Sequence, residues 1–299
     1  MSLGRIAAKK MLKKNNKDNT RQTIIEPTHD FFKVKWVEIW NYRDLLYLLV
    51  RRDFISKYKQ TVLGPAWFIL QPLLTTIVFT VIFGKFAKIP LGQVPPILFY
   101  LCGLLAWDYF SQCLSGISGS LISNTNLFAK VYFPRLIIPL SLLLSNLMRF
   151  TLQLVVFLCF YAYFYFFTPA ALFIHPSFAM TLLPIAVLFS ALISLGFGLL
   201  ICSLTVRYRD LQYVVGFTIQ LWMYGTPIIY PLSAVPEKWR WIVLMNPMTQ
   251  ILEFYRLVFF GKGDLSFFNV LISLAVTVLF LFAGLYQFNK SEKTFVDVL

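Results

Sequence analysis

Long apolar runs separated by short polar stretches fill the chain between residues 64 and 288. Each run is long enough to cross about 30 Å of hydrocarbon as a helix that rises about 1.5 Å per residue. The pattern predicts an all-α integral membrane fold, with residues 64–288 as the transmembrane domain. The third run exceeds what a bilayer needs, so we expect that helix to tilt or break. The six predicted spans lie near 64–84, 97–117, 136–166, 179–204, 211–231 and 267–288.

A different pattern precedes the first span, in residues 31–63. From Asp44 to Lys59, apolar and polar side chains separate onto two faces at helical spacing. This predicts an amphipathic helix that lies in the membrane interface rather than crossing it. A soluble helix packed on another domain is the alternative. The apolar face holds Tyr47, Val50, Phe54 and Tyr58, and the opposite face holds mostly Arg52, Asp53, Ser56 and Lys59.

The segment before the last span, residues 231–266, is not a simple loop either. Its apolar run stops at Asn246-Pro247 and resumes as a helical stretch from Met248 to Gly261. Because a proline disfavours helix at the residue before it, we predict two half-length helices broken at this dipeptide. Neither piece spans a bilayer alone. We therefore expect a re-entrant hairpin on the outer side, with its broken backbone shielded by protein.

The composition supports a membrane environment. The 299 residues are 58% hydrophobic and only 13% charged, against about 25% charged in soluble domains. These proportions exclude an ordinary soluble enzyme, a disordered regulator and a collagen-like fibre.

Positive charge is distributed unevenly and sets the predicted orientation. Fourteen of the 27 lysines and arginines lie in residues 1–63. Because basic segments stay on the cytoplasmic side, we expect both termini there, with a basic tail at 1–30 and a second tail at 289–299. The same segregation favours anionic membrane lipid, and not nucleic acid, as the partner of the basic residues.

The sequence carries no catalytic or metal-binding motif. It lacks a G-x-x-x-x-G-K-[ST] phosphate loop, a G-x-S-x-G elbow and an H-E-x-x-H pair. The four cysteines lie in apolar runs without C-x-x-C spacing, and the two histidines are far apart. We therefore predict no catalytic residue, no metal site and no cofactor on this chain. A transport subunit whose nucleotide chemistry resides on a separate chain fits these observations better than an enzyme.

Five stretches are specific in their combined order and spacing. They are LVRRDF (49–54), YKQTVLGPAWFILQP (58–72), KVYFPR (130–135), VRYRD (206–210), and YPL (230–232) through WRW (239–241) to NP (246–247). Together they resemble the membrane subunits of ABC-2 type transporters. The branch they resemble exports lipid-linked polysaccharide and polyol phosphate across the bacterial inner membrane, as the O-antigen, capsule and teichoic-acid permeases do. The resemblance implies a homodimer with two ABC subunits that bind ATP and Mg²⁺, and a glycan substrate linked to polyprenyl pyrophosphate.

The resemblance also implies roles for two cytoplasmic segments. Residues 123–135, within the predicted inner loop 118–135, resemble the coupling segment that docks on the ATPase. The residues themselves allow a short capped helix that ends before Pro134, and equally an ordinary connecting loop. The second segment is the amphipathic helix described above, here called the interface or gate helix. Its basic side chains can attract the pyrophosphate of the substrate, or water alone can solvate them. The implied coupling residues are Asn124, Asn126, Leu127, Lys130, Tyr132 and Arg135, and the gate-helix residues are Arg51, Arg52, Asp53, Lys57 and Lys59.

Two charged residues lie near the middle of predicted spans, Asp108 in the second and Arg149 in the third. A charge at mid-bilayer costs at least about 2.5–3.5 kcal/mol, so each needs a partner or water. Their depths differ by only about 6 Å at 1.5 Å per residue, which favours an ion pair between them. The alternative is that Arg149 contacts an anionic substrate in the pathway.

Aromatic side chains make up 18% of the chain. Many belong to the interfacial belts of a membrane protein, but rings also stack on the C–H faces of sugars. Because the resemblance places spans one, two and five along the pathway, we select polar and aromatic residues there, with helix packing as the alternative. The candidate pathway residues are Trp67, Gln71, Trp107, Asp108, Tyr109, Phe110, Arg149, Trp222 and Tyr224. A small-residue stripe in span four, Ser190, Ser194, Gly198 and Cys202, predicts close helix packing.

The predicted function is the membrane subunit of an ATP-driven exporter of O-antigen-like, lipid-linked polysaccharide in the bacterial inner membrane. Within the family, a capsule or teichoic-acid exporter and an ABC-2 exporter of drugs or other lipids are alternatives. From other classes, a membrane glycosyltransferase or acyltransferase needs clustered carboxylates or histidines near one membrane face, and the sequence shows none. Inverted repeats would indicate a secondary transporter, but none is apparent in the sequence.

Overall fold

Helices make up the regular secondary structure of this computed structural model, which describes residues 36–56, 59, 61–128, 130–169 and 178–298. The predicted all-α class is confirmed for these residues. The basic tail at 1–30 and Lys57 lie outside them. The twelve helices of the described part are α1 (Trp36–Asn41), α2 (Arg43–Ser56), α3 (Trp67–Phe79), α4 (Pro96–Ser118), α5 (Ser120–Ser123), α6 (Thr125–Phe128), α7 (Ile137–Phe167), α8 (Leu183–Thr205), α9 (Leu211–Tyr224), α10 (Glu237–Met245), α11 (Pro247–Phe260) and α12 (Phe267–Val298).

Five helical stretches in the described residues are long and apolar enough to cross a membrane. They match five of the six predicted spans, with ends that differ by a few residues. The first contains α3 between a 3₁₀ turn and a π-helical turn at Thr80–Phe86. The stretches are Gly64–Phe86, Pro96–Ser118, Ile137–Phe167, Phe178–Thr205 and Phe267–Ser291.

The lengths of two of these helices refine the sequence expectation. The third span does not break, because α7 runs through 31 residues, or about 46 Å at 1.5 Å per residue. It therefore exceeds the hydrocarbon thickness and needs to tilt or to project from it. The last helix, α12, continues to Val298. The predicted tail at 289–299 is thus largely an extension of the last helix.

The predicted fifth span, 211–231, is shorter as a helix than its apolar sequence indicated. The helix α9 has 14 residues, about 21 Å at 1.5 Å per residue, which is less than the hydrocarbon thickness. The chain then turns at Gly225, before Pro227. Thr226, Ile228 and Ile229 in this turn are buried by the protein. Their apolar character reflects burial inside the helix assembly, which hydropathy alone does not distinguish from a lipid-facing helix.

The core is organised around α4, which is buried along most of its length. This helix packs against α3, α7, α8, α9 and α11. Tyr100 and Phe110 are among its fully buried side chains. The central position of α4 explains why the second span is the least hydrophobic of the five candidate spans and is nevertheless mostly buried by protein.

Small residues bring α8 close to two neighbouring helices. The predicted stripe from Ser190 to Cys202 is buried, and a Cβ added to Gly198 lies 2.7 Å from Cγ2 of Ile117 in α4. On another face, a Cβ added to Gly196 lies 2.7 Å from the backbone nitrogen of Leu281 in α12. The close packing predicted for span four is confirmed, and it extends to a second partner helix.

Candidate functional site

An apolar cluster joins the interface helix α2 to the predicted coupling segment and to the start of α7. Leu49 of α2 is 4% exposed and packs with Phe133, Ile137 and Ile138. Leu45 and Leu46, one turn earlier in α2, pack against the same cluster. The outward face that includes Tyr47 remains exposed. The helix thus has one face on the protein and another available to the membrane interface, as an interfacial helix requires.

Polar contacts reinforce this junction. Nη2 of Arg52 donates to Oδ1 of Asn124 at 3.3 Å and to Oδ1 of Asp53 at 2.8 Å. The hydroxyl of Tyr42 donates to the backbone carbonyl of Tyr132 at 3.4 Å. The structure therefore brings together two predicted gate-helix residues, Arg52 and Asp53, and a predicted coupling residue, Asn124. It leaves Arg51 and Lys59 exposed.

The predicted inner loop 118–135, which contains the predicted coupling segment, consists of two single helical turns, α5 and α6, followed by an irregular stretch. The side chain of Asn124 does not cap α6, because its Nδ2 donates back to the carbonyl of Ser120 at 2.9 Å. The guanidinium of Arg135 lies 5.6 Å from the ring centre of Phe128, which stacks on Phe133. Leu127 is partly buried, so the cluster holds this segment from inside. Three predicted coupling residues are exposed on its surface: Asn126, Lys130 and Tyr132.

The segment before the last span contains two helices that break at Asn246, as the sequence predicted. Asn246 caps α11 by accepting a hydrogen bond from the backbone nitrogen of Met248 at 3.0 Å. Its Oδ1 also accepts from Nε1 of Trp222 at 3.0 Å, and its Nδ2 donates to Oγ1 of Thr226 at 2.9 Å. One side chain therefore connects α9, the turn after it and α11.

A buried ion pair in α11 was not identified from the sequence, which placed Arg256 in an outer segment. Nη1 of Arg256 lies 2.5 Å from Oε1 of Glu253, and the two side chains are 6% and 5% exposed. Arg256 also donates to the backbone carbonyl of Pro227, and its guanidinium lies 4.2 Å from the ring centre of Phe99. Oε2 of Glu253 accepts from the backbone nitrogen of Asp264 at 3.0 Å. The i, i+3 spacing of opposite charges was the available signal, but exposed helices show the same spacing.

The two intramembrane charges do not form the ion pair that their depths favoured. Nη1 of Arg149 donates to Oε1 of Gln112 at 2.8 Å, and its guanidinium lies 4.4 Å from the ring centre of Phe68. Asp108 lies one helical turn from Gln112, close enough for an electrostatic interaction with Arg149. The described residues contain no contact within 4.0 Å between these two charges. A neutral amide is therefore the direct partner of Arg149.

The other seven predicted pathway residues fall into two groups. The first is packed among helices: Phe110 lies 5.3 Å from Trp107 and 5.2 Å from Trp222 between ring centres, and Tyr109 packs on Phe150. Trp222 is additionally held by Asn246. The second group is exposed on the chain's surface and consists of Trp67, Gln71 and Tyr224. The structure thus separates packing residues from those with rings and amides available to a partner or a substrate.

Residues 44–260, which include the predicted gate helix, the predicted coupling segment and the helices α10 and α11, match the ABC-2 type transporter family. The chain belongs to this family. The resemblance found in the five sequence stretches is confirmed. As an ABC-2 permease, the chain is a multi-pass membrane protein and the transport subunit of its system.

Similar proteins cover nearly the whole ABC-2 permease. The O-antigen export system permease protein RfbA of Myxococcus xanthus is 29% identical over 262 residues, which cover 87% of this chain and 97% of that protein. A protein of the same name from Klebsiella pneumoniae is 29% identical over 261 residues, which cover 86% and 95%. The capsule polysaccharide export inner-membrane protein CtrC of Neisseria meningitidis is 24% identical over 261 residues, which cover 82% and 90%.

Proposed function

We propose that this chain is the membrane subunit of an ATP-driven exporter that moves lipid-linked polysaccharide across the bacterial inner membrane. The observation that supports this most directly is the near full-length similarity to proteins named as O-antigen export permeases. The similarity to capsule export proteins makes capsule polysaccharide the second candidate. A polyprenyl-pyrophosphate-linked glycan is the substrate class that we infer for either case.

The ATPase is a separate chain in this proposal, and it binds ATP and Mg²⁺. The exposed side chains of Asn126, Lys130 and Tyr132 form its docking surface. A displacement of this surface is transmitted to α2 through the apolar cluster around Leu49 and through the Arg52–Asn124 hydrogen bond. Both of these join the predicted coupling segment to the gate helix. A packed junction transmits displacement better than a flexible loop, since close-packed side chains resist compression.

We propose that the chain crosses the membrane six times, with both termini in the cytoplasm. The fifth crossing consists of α9 and the buried turn at Thr226–Ile229. Non-helical backbone is tolerated at membrane depth where protein covers it, and the burial of this turn meets that condition. The helices α10 and α11 form the re-entrant hairpin on the outer side, where α11 is almost fully buried.

A second copy of the chain completes the pathway in this proposal. The helices α3 and α9 carry long exposed apolar surfaces, and the exposed Trp67, Gln71 and Tyr224 belong to these helices or adjoin them. We place these three residues, with Asp108 and Arg149, along the path between two copies. We assign Trp107, Tyr109, Phe110 and Trp222 to helix packing, because other side chains already surround their rings.

Deleting the gene for this chain in its own host tests the proposed activity. We expect loss of the mature surface polysaccharide and accumulation of lipid-linked glycan on the cytoplasmic side of the inner membrane. Complementation with the wild-type chain restores export. The Arg52→Ala variant restores expression but exports several-fold less polymer. Chemical analysis of the missing polymer distinguishes O-antigen, attached to lipopolysaccharide, from capsule. A deletion that abolishes glycan synthesis instead would contradict a transport role and favour a membrane glycosyltransferase.

A further inference from the structure

A proline interrupts the backbone hydrogen bonds of α3, the main helix of the first candidate span. In a regular α-helix, the backbone nitrogen of residue 72 donates to the carbonyl of residue 68. Pro72 has no N–H and does not make this bond. A side chain of another helix donates in its place, because Nε2 of Gln153 in α7 lies 3.2 Å from the carbonyl oxygen of Phe68. The donor that Pro72 lacks thus comes from α7.

The surroundings of this hydrogen bond increase its importance. Gln153 is 8% exposed, and α3 belongs to the candidate membrane span Gly64–Phe86. Hydrocarbon offers no donor, so a proline inside a membrane helix is tolerated where neighbouring helices supply the missing hydrogen bond. An amide is suited to this position, because it donates without carrying a charge into the membrane.

Two further contacts hold the ring of Phe68. The guanidinium of Arg149 lies 4.4 Å from the ring centre, and Arg149 precedes Gln153 by four residues, so both side chains leave the same face of α7. The ring of Phe54 in the interface helix α2 lies 5.9 Å from that of Phe68 between centres. The helix α7 therefore holds the start of α3 through its backbone and through a side chain, at a point that also contacts α2.

The two faces of α3 have different surroundings. Phe68 and Pro72 are four residues apart and partly buried, whereas Trp67 and Gln71, also four residues apart, are exposed. Residues at this spacing share one face of a helix. A bond from Gln153 to the inner face therefore determines the direction in which the outer face points.

We propose that Gln153 is a positioning residue of the transport pathway, whose amide replaces the backbone donor that Pro72 lacks and thereby fixes the orientation of Trp67 and Gln71. The role in transport rests on the proposed function, which places Trp67 and Gln71 along the path between two copies. The role of the hydrogen bond within α3 does not depend on that function. Gln153 acts through α3 and is not itself a substrate contact.

A double-mutant cycle with position 72 tests this exchange of donors. Gln153→Met keeps the length of the side chain but removes the donor, so we expect the melting temperature of the purified chain in detergent to fall by several degrees. Pro72→Ala restores the backbone donor, and adding Gln153→Met to it lowers the melting temperature by much less. Equal losses from Gln153→Met in the wild-type and Pro72→Ala backgrounds would overturn the proposal.

Pro184→Ala is the matched control for the proline. This exposed residue is the second of α8, a position whose backbone nitrogen has no acceptor within a regular helix. In the Pro184→Ala background, Gln153→Met therefore keeps its full effect. The same reduction in both proline variants would show that the non-additivity does not arise from the restored donor, and would contradict the proposal.

A spin label at position 71 reports the positioning role directly. The exposed Cys159 is first replaced with serine, and Gln71→Cys then carries the label. We expect Gln153→Met to increase the mobility of the label in the EPR spectrum, and Pro72→Ala to reverse that increase. A label at position 279, in place of the exposed Leu279 of α12, keeps its spectrum in all variants. An unchanged spectrum at position 71 on Gln153→Met would contradict the positioning role.

Export in the native host tests the role in transport. We expect Gln153→Met, expressed at the wild-type level, to export several-fold less polymer, whereas Pro184→Ala exports normally. Normal export by Gln153→Met would overturn the role of this residue in the pathway. Normal export after deletion of the gene would instead refute the proposed function, and the melting temperatures and EPR spectra would still decide whether Gln153 holds α3.

Discussion

The indole of Trp222 donates a hydrogen bond to the side chain of Asn246, with Nε1 and Oδ1 3.0 Å apart. This contact ties the end of α9 to the start of α11 across the turn that follows α9. The same oxygen caps α11. A residue with a ring suited to sugar stacking thus serves to connect these two helices.

We predict that Trp222 and Asn246 are energetically coupled. Replacing Asn246 with alanine removes a helix cap worth about 0.5–2 kcal/mol and leaves the indole nitrogen without its acceptor. A double-mutant cycle with Trp222→Phe gives a coupling energy of about 1 kcal/mol, measured from thermal unfolding in detergent. Trp239→Phe, at an exposed position on α10, is the matched control and shows no coupling to Asn246→Ala. Additive effects of the first pair would contradict the contact.

The buried pair of Glu253 and Arg256 predicts an asymmetric mutational response. Arg256→Gln leaves the carboxylate of Glu253 buried without its charge partner, and we expect a loss of about 3–5 kcal/mol in stability. Adding Glu253→Gln to the same chain recovers part of that loss because no uncompensated charge remains.

The exposed pair of Arg240 and Asp264 provides the comparison. Arg240→Gln changes stability by only about 0–1 kcal/mol, because solvent screens surface ion pairs. Thermal unfolding of these three variants and the wild type in one detergent compares the two sites directly. Equal losses for Arg256→Gln and Arg240→Gln would show that the α11 pair does not experience a buried environment.

The hydrogen bond between the proposed gate helix and the proposed coupling segment predicts variants that still assemble with the ATPase but transport less. We expect Arg52→Ala to reduce export several-fold without lowering the amount of ATPase that co-purifies. The reason is that the hydrogen bond from Arg52 to Asn124 joins two segments of the same chain. Asn124→Ala has the same effect, whereas Arg51→Ala, at the exposed neighbouring position, exports normally. Loss of the ATPase from the Arg52→Ala complex would place this residue in the docking surface instead.

The partner of Arg149 predicts the outcome of a charge exchange. Because Gln112 accepts the hydrogen bond from Arg149, the double variant Asp108→Arg with Arg149→Asp restores nothing lost by the single changes. Asp108→Asn lowers folded yield and export less than Arg149→Asp does. Gln112→Glu retains the folded protein, because it gives the guanidinium of Arg149 a charged partner. Folded yield and export in vivo are the two measurements. Recovery by the charge exchange would establish Asp108 as the true partner of Arg149.

Hydropathy predicted five of the six proposed spans, including Pro96–Ser118, which other helices bury. The span of Ile137–Phe167 and the break at Asn246-Pro247 follow from local sequence, because apolar length and the proline each act on the adjacent backbone. The predicted fifth span was longer than the observed helix because Ile228 and Ile229 are apolar for a different reason. They are buried against other helices, and a hydropathy profile does not distinguish protein from lipid as the apolar surroundings.

The candidate site likewise contains residues that the sequence predicts and contacts that depend on how the chain packs. Asn124 and Arg52 were each selected from separate stretches, but their contact depends on how two cytoplasmic segments pack together, which no spacing along the chain specifies. The environment of Glu253 depends on Pro227, Phe99 and Asp264. These residues lie far apart in sequence, so only the assembled fold identifies the buried pair.

The central claim, that this ABC-2 permease is one part of an ATP-driven exporter, is tested most directly by purifying the tagged chain from its native membranes in mild detergent. The co-purifying proteins are then identified and quantified. We predict an ATP-binding ABC subunit in an amount equal to that of the chain, lost on Tyr132→Ala with Lys130→Glu in the docking surface. Recovery of the chain without any ATP-binding subunit, under conditions that preserve a known ABC complex, would contradict the account.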